Sequence, residues 1–133
     1  MKYFLKICLA AIFAAGMAGA ASAASLTATE WWPVKIGDME ISDVKPFIRF
    51  DEGGKVAGDS GCNRFGGGYT LDGDAITFSA LFSTRMACPE EIMEVEQKFL
   101  QALERSRRFE RDGTRLVLFD DGGEFLAEFI ERH

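Results

Sequence analysis

The sequence is poor in the residues that usually carry chemistry. It holds one histidine, His133, and that is the last residue. A thiol or hydroxyl nucleophile needs a nearby base, and the body of the chain offers no imidazole for the task. Three cysteines and a terminal histidine lack the spacing of a zinc site. The glycine-rich run Gly61–Gly68 lacks the Lys-Ser/Thr ending of a phosphate-binding loop, and no dinucleotide fingerprint is present. Positive charge is also in deficit, with 15 Lys and Arg against 21 Asp and Glu and a net charge of −6. That balance argues against nucleic acid and anionic lipid surfaces as partners. There is no fixed-period repeat, low-complexity tract or interdomain linker. No catalytic residue, metal or cofactor is expected.

Long apolar runs are missing too. Lys2 and Lys6 precede a short apolar stretch, Ile7–Ala15, and Ala21-Ser22-Ala23 fits the small-x-small rule for cleavage. The stretch is too short and alanine-rich for a good membrane span. Residues 1–23 are therefore read as a signal peptide, the alternative being a retained N-terminal anchor. Cys8 would leave with the leader, and no cysteine follows the cleavage site to take a lipid. Residues 24–133 then form a single domain, which loses two lysines and becomes more acidic.

Within that domain the hydrophobic pattern alternates. Thr29–Ile36 is aromatic and β-branched but contains Pro33, which places the strand at an edge or bulges it. Gly37-Asp38 turns the chain into a short Met39–Ile41 strand. Pro46–Asp51 is a half-buried strand with Ile48 and Phe50 inward. Glu52-Gly53-Gly54, Asp72-Gly73, Asp112-Gly113 and Asp120–Gly123 are turn signals between strands. Tyr69, Ile76 and Phe78 point inward, whereas Ala80-Leu81-Phe82 has no clear period. Cys88-Pro89-Glu90-Glu91 starts a helix over 89–104, with Ile92, Val95, Phe99 and Leu103 on one face. A final meander supplies Leu116, Leu118, Phe125, Phe129 and Ile130 to the core. The fold class is α+β, mostly β: a small curled antiparallel sheet or partly open β-barrel with one main α-helix.

Cys62 and Cys88 remain in the exported chain and are read as a disulfide. Such a link is worth roughly 3 kcal/mol in the chain-entropy model. A catalytic Cys62 and a pair of buried thiols are the alternatives. Asp72-Gly73-Asp74 and Asp120-Asp121-Gly122 resemble fragments of calcium loops but read better as acidic turns. Glu90, Glu91, Glu94 and Glu96 read as a solvated helix face. Arg105, Arg107, Arg108 and Arg111 follow the helix, whose negative end favours cations, and an anionic partner is the alternative. Asn63 reads as a turn residue bonding its own backbone.

Two blocks resemble the META domain family, the HslJ-like heat-inducible proteins of the bacterial envelope. They are Gly61-Cys62-Asn63-Arg64-Phe65 with Tyr69 following, and Thr84-Arg85-Met86-Ala87-Cys88. A tryptophan near the start, Trp31 or Trp32, fits as well, and the likeness covers residues 29–131. The resemblance implies a compact β-rich domain similar to a cracked barrel, associated with stress and envelope maintenance. It implies no established catalytic activity. Many relatives carry a lipoprotein cysteine at the end of the signal. Its absence here favours a soluble periplasmic protein.

The expected function is protein binding or protection in the envelope, with a small carrier for an apolar ligand inside a barrel as the alternative. The partner is expected to be an envelope protein or that apolar ligand, and the protein itself a monomer. The candidate binding surface is Trp31, Trp32, Asn63 and Arg64. One of the adjacent indoles faces away from the core in a regular strand, and an exposed indole is a common anchor. Processing is directly measurable. Intact mass of the protein from the periplasmic fraction should correspond to a chain starting at Ala24, and a full-length product extracted only with membranes would overturn the leader assignment.

Overall fold

The structure is a computed structural model that describes residues 26, 27, 29–42 and 46–133. The expected leader lies outside the described residues. Nine strands and one helix lie wholly within the described residues, in order: β1 Glu30–Ile36, β2 Met39–Glu40, β3 Phe47–Phe50, β4 Lys55–Asp59, β5 Arg64–Asp72, β6 Ala75–Ser83, α1 Glu90–Arg105, β7 Arg108–Asp112, β8 Arg115–Phe119 and β9 Phe125–Arg132. Every pairing between these strands is antiparallel. β1 pairs with both β3 and β9, so eight strands close into a ring, and β2 adds to the end of β1. Two joins are narrow. β1 meets β3 at Glu30↔Arg49 and Trp31↔Ile48, and β6 meets β7 at Ala75↔Arg108. The chain runs from β6 through residues 84–89 into α1 and leaves it into β7, so the helix bridges the second join.

Pro33 has the consequence its chemistry dictates. The register with β9 shifts between Pro33 and Lys35. On the other side of β1, Pro33 falls between the pairings to β3 and β2, so its missing amide proton interrupts no ladder there. The hairpin turns lie where Gly, Asp and Asn chemistry put them. Asp51 Oδ1 accepts the Gly53 and Lys55 amides at 2.9 Å each, and Asp120 Oδ1 accepts those of Gly122 and Glu124 at the same distance. The hydrogen bond from the Glu124 amide leads in holding Asp120 below the usual carboxylate range. These acidic turns bind their own backbone.

Side chains fill the ring. Trp31, Ile48, Phe50, Leu116, Leu118 and Phe129 are each no more than 1% exposed. Phe50 meets the edge of Tyr69 at 4.9 Å, and the Tyr69 hydroxyl donates to the Asp51 carbonyl at 2.6 Å. The helix lays Val95, Phe99, Ala102 and Leu103 on this core, with Phe99 between Phe65 at 5.5 Å and Phe129 at 6.3 Å. The expected helix is one residue early, because Pro89 caps it: the Pro89 carbonyl accepts the Ile92 and Met93 amides.

Three core assignments change. Ile92 and Ile130 are only half-buried. Phe125 is exposed, because the β8–β9 register shifts between Leu118 and Phe119 and breaks the alternation there. Lys35 lies 5.9 Å from its ring. Phe99 is the central aromatic contact of the helix, and Phe99→Ala should cost about 3–5 kcal/mol. Urea unfolding of wild type and variant measures it. A loss below about 1 kcal/mol would show that α1 is not packed as described.

Candidate functional site

Ser60, Gly61, Cys62 and Asn63 form the bend between β4 and β5. Gly61 has φ 130, a conformation that side chains disfavour. The bend directs several donors at one point, and a carboxylate of α1 occupies that point. Glu96 Oε1 accepts the amides of Cys62 at 3.1 Å and Asn63 at 2.8 Å, and Oε2 accepts Asn63 Nδ2 at 2.8 Å. Ser60 Oγ lies 2.7 Å from Glu96 Oε1 and 2.9 Å from the Asn63 carbonyl, sharing one proton between them. Glu96 is 6% exposed. It therefore does not belong to a solvated acidic face, as its neighbours Glu90, Glu91 and Glu94 do. Burial pushes the Glu96 carboxyl up, but the hydrogen bonds from Asn63, Ser60 and Cys62 outweigh it and hold the group below the ordinary glutamate range.

Asn63 completes the link to the second block. Its Oδ1 accepts the Thr84 hydroxyl at 2.8 Å and the Met86 amide at 2.6 Å, while Nδ2 donates to the Met86 carbonyl at 3.2 Å. With Glu96 on the other Nδ2 proton, the amide has no unused hydrogen-bonding capacity. A disulfide, Cys62–Cys88, ties the same bend to the residue before Pro89, with Cα atoms 6.0 Å apart. This is the cross-link expected from the sequence, and it leaves no Cys62 thiol to act as a nucleophile. Phe65 and Tyr69 are core residues. The two sequence blocks thus meet in space, and most of their side chains are scaffold.

The expected binding surface divides accordingly. Trp31 is fully buried, and its Nε1 donates to the Leu26 carbonyl at 3.2 Å. Asn63 is 1% exposed. Neither can meet a partner. Trp32 faces outward but is half-buried, stacked on Phe47 at 5.2 Å with the Arg132 guanidinium 4.8 Å from its ring. Arg64 is exposed. The basic cluster after the helix is also consumed internally. Arg105 pairs with Asp120, Arg108 with Glu110 and Arg111 with Glu131, while Arg107 donates to the carbonyls of Glu104 and Ser106.

What sequence reasoning missed is the side chain beside Arg64. Gly66 pairs with Phe82 and Gly68 with Ser79, so Ala80 and Leu81 together oppose Gly67 and β6 carries a bulge. Ala80 sits at φ 52, the only non-glycine residue at positive φ among the described residues. Ile76 and Phe78 face the core. Unbroken alternation would turn Phe82 inward as well, but the extra residue turns it out, and it is 67% exposed. Its ring lies across Gly66, where a Cβ would come within 2.8 Å of the ring. Met86, also in the second block, is 59% exposed.

The Glu96 cluster has a pH signature. A carboxyl whose folded pKa is depressed stabilises the fold above its unfolded value of about 4.3, and that stability is lost as pH falls through the folded value. Glu96→Gln should therefore be less stable at pH 7 by about 2–4 kcal/mol, since a neutral amide leaves buried donors poorly matched. It should also lose less stability than wild type between about pH 5 and pH 2. Denaturant midpoints across that range check both statements.

Comparison with known proteins agrees with this architecture. An NMR structure of a protein from Burkholderia xenovorans superposes with a TM-score of 0.67 at 24% identity, covering 97% of this chain and 99% of that one. A second NMR structure gives 0.66 at 21%, covering 81% and 93%. A DUF4847 family protein from Bacteroides vulgatus gives 0.50 at 19%, covering 64% and 57%. Each shows a shared fold. No curated protein matches the sequence. The META domain matches residues 24–132, which takes in every strand, the helix and both blocks of the disulfide-linked bend, and the chain belongs to the META domain family.

Proposed function

We propose that this is an exported envelope protein that binds another protein, without turnover, through the outward face beside Arg64 and Phe82. The observation that carries the reading is the β6 bulge. A left-handed conformation at an alanine costs about 1 kcal/mol, and here it turns a phenylalanine into solvent. Strain of this kind concentrates at functional sites, and bulges re-aim side chains. The leader-like N-terminus and the disulfide support an oxidising compartment outside the cytoplasm. Among the described residues no helix is long and apolar enough to cross a membrane.

The carrier alternative finds less support. Among the described residues the ring is filled by its own side chains, as small eight-stranded rings can be. A photoreactive benzoyl-phenylalanine in place of Phe82 tests the binding reading. It should cross-link to a protein in the envelope fraction of the producing cell, whereas the same group in place of exposed Thr70 should not. No cross-link at position 82, or the same products from both positions, would overturn this surface.

A further inference from the structure

Among the described residues, Arg64 and Arg85 are the arginines without an internal partner. Every other arginine of the described residues meets a carboxylate, a main-chain carbonyl or an aromatic ring. The guanidiniums of Arg64 and Arg85 meet none among the described residues, and both residues are exposed. They are close in the fold. The Thr84 amide donates to the Arg64 carbonyl at 3.0 Å and the Arg64 amide to Thr84 Oγ1 at 3.2 Å, and Arg85 follows Thr84 directly. Arg64 and Gly66 are two apart on β5 and share its outer face, and Phe82 lies over Gly66. Two unpaired cations thus accompany the two most exposed large apolar side chains of the described chain, Phe82 and Met86.

Resting on the binding function proposed above, we infer that this face takes an acidic segment of a partner protein. An apolar side chain of the segment packs on Phe82 and Met86, and flanking carboxylates meet Arg64 and Arg85. The charge distribution favours that occupant. The protein carries a net charge of −6, so its overall field disfavours an acidic chain, and the two guanidiniums give this face local complementarity even with Asp59 opposite Arg64 in the β4–β5 register. An anionic bilayer would meet the whole acidic surface, and two apolar side chains offer little to insert. The face is also pre-organised. Asn63 holds both the Thr84 hydroxyl and the Met86 amide, and the disulfide fixes the chain at Cys88, so docking orders little backbone.

The test uses the processed full-length protein, labelled with nitrogen-15, and three probes. These are a blocked peptide alternating aspartate with leucine and phenylalanine, the same peptide with asparagine for aspartate, and vesicles containing phosphatidylglycerol. The acidic peptide should shift the amides of Arg64 and of Phe82 through Met86. Its Kd should rise about tenfold, or 1.4 kcal/mol, in the Arg64→Ser/Arg85→Ser double variant. Raising salt from about 50 to about 300 mM should weaken it several-fold. Phe82→Ser should weaken it while leaving the melting temperature unchanged. Equal binding of the asparagine peptide, shifts that map elsewhere, vesicle binding in place of peptide binding, or no shift at about 1 mM peptide would each overturn the inference. A cross-link from position 82 would survive any of those results, so the acidic partner can fail while the binding face stands.

Discussion

The buried carboxylate of Glu96 is the contact on which the rest of the site depends. An ionised group taken out of water is costly unless its hydrogen bonds are replaced in full. Here four donors from Ser60, Cys62 and Asn63 replace them, and all belong to one bend. The bend cannot move without stranding the charge. Through Asn63 the same constraint reaches Thr84 and Met86, and the disulfide repeats the connection in covalent form. A helix, a strand start and a loop distant in sequence are thereby held as one body.

Much of the ring was legible in the sequence. The hairpin turns were marked by glycine and aspartate, and the inward positions at Ile48, Phe50, Ile76 and Phe78 follow from alternation. The helix announced itself through Pro89 and the spacing of Val95, Phe99 and Leu103. Ring closure was not legible, because pairing of the first and last long strands leaves no local mark. Glu96 was missed for a similar reason. It follows Val95 on the rim of the buried stripe, and a glutamate there is usually solvated. Half of its donors are backbone amides of a bend 33 to 36 residues away, and amides carry no sequence signature.

The candidate surface was half legible. Arg64 was named as a candidate binding residue and lies exposed, whereas Asn63 beside it belongs wholly to the scaffold. Strand geometry separates the two: adjacent residues leave the chain on opposite sides, so one serves the interior and the next faces solvent. Phe82 could not be read because its direction depends on a bulge. That bulge requires the glycines of β5, which leave room for Phe82 and Leu81 to cross the neighbouring strand. Gly66, Gly67 and Gly68 thus serve as space for the opposite strand.

Closure of the ring through β1 and β9 has a consequence for the order of events in folding. The strand that completes the circle is the last one made, ending at Arg132. A growing chain can form its local hairpins early, but the circle stays open, with Trp31 lacking its β9 neighbour, until β9 has been made. The ring therefore cannot close before β9 is present to pair with β1.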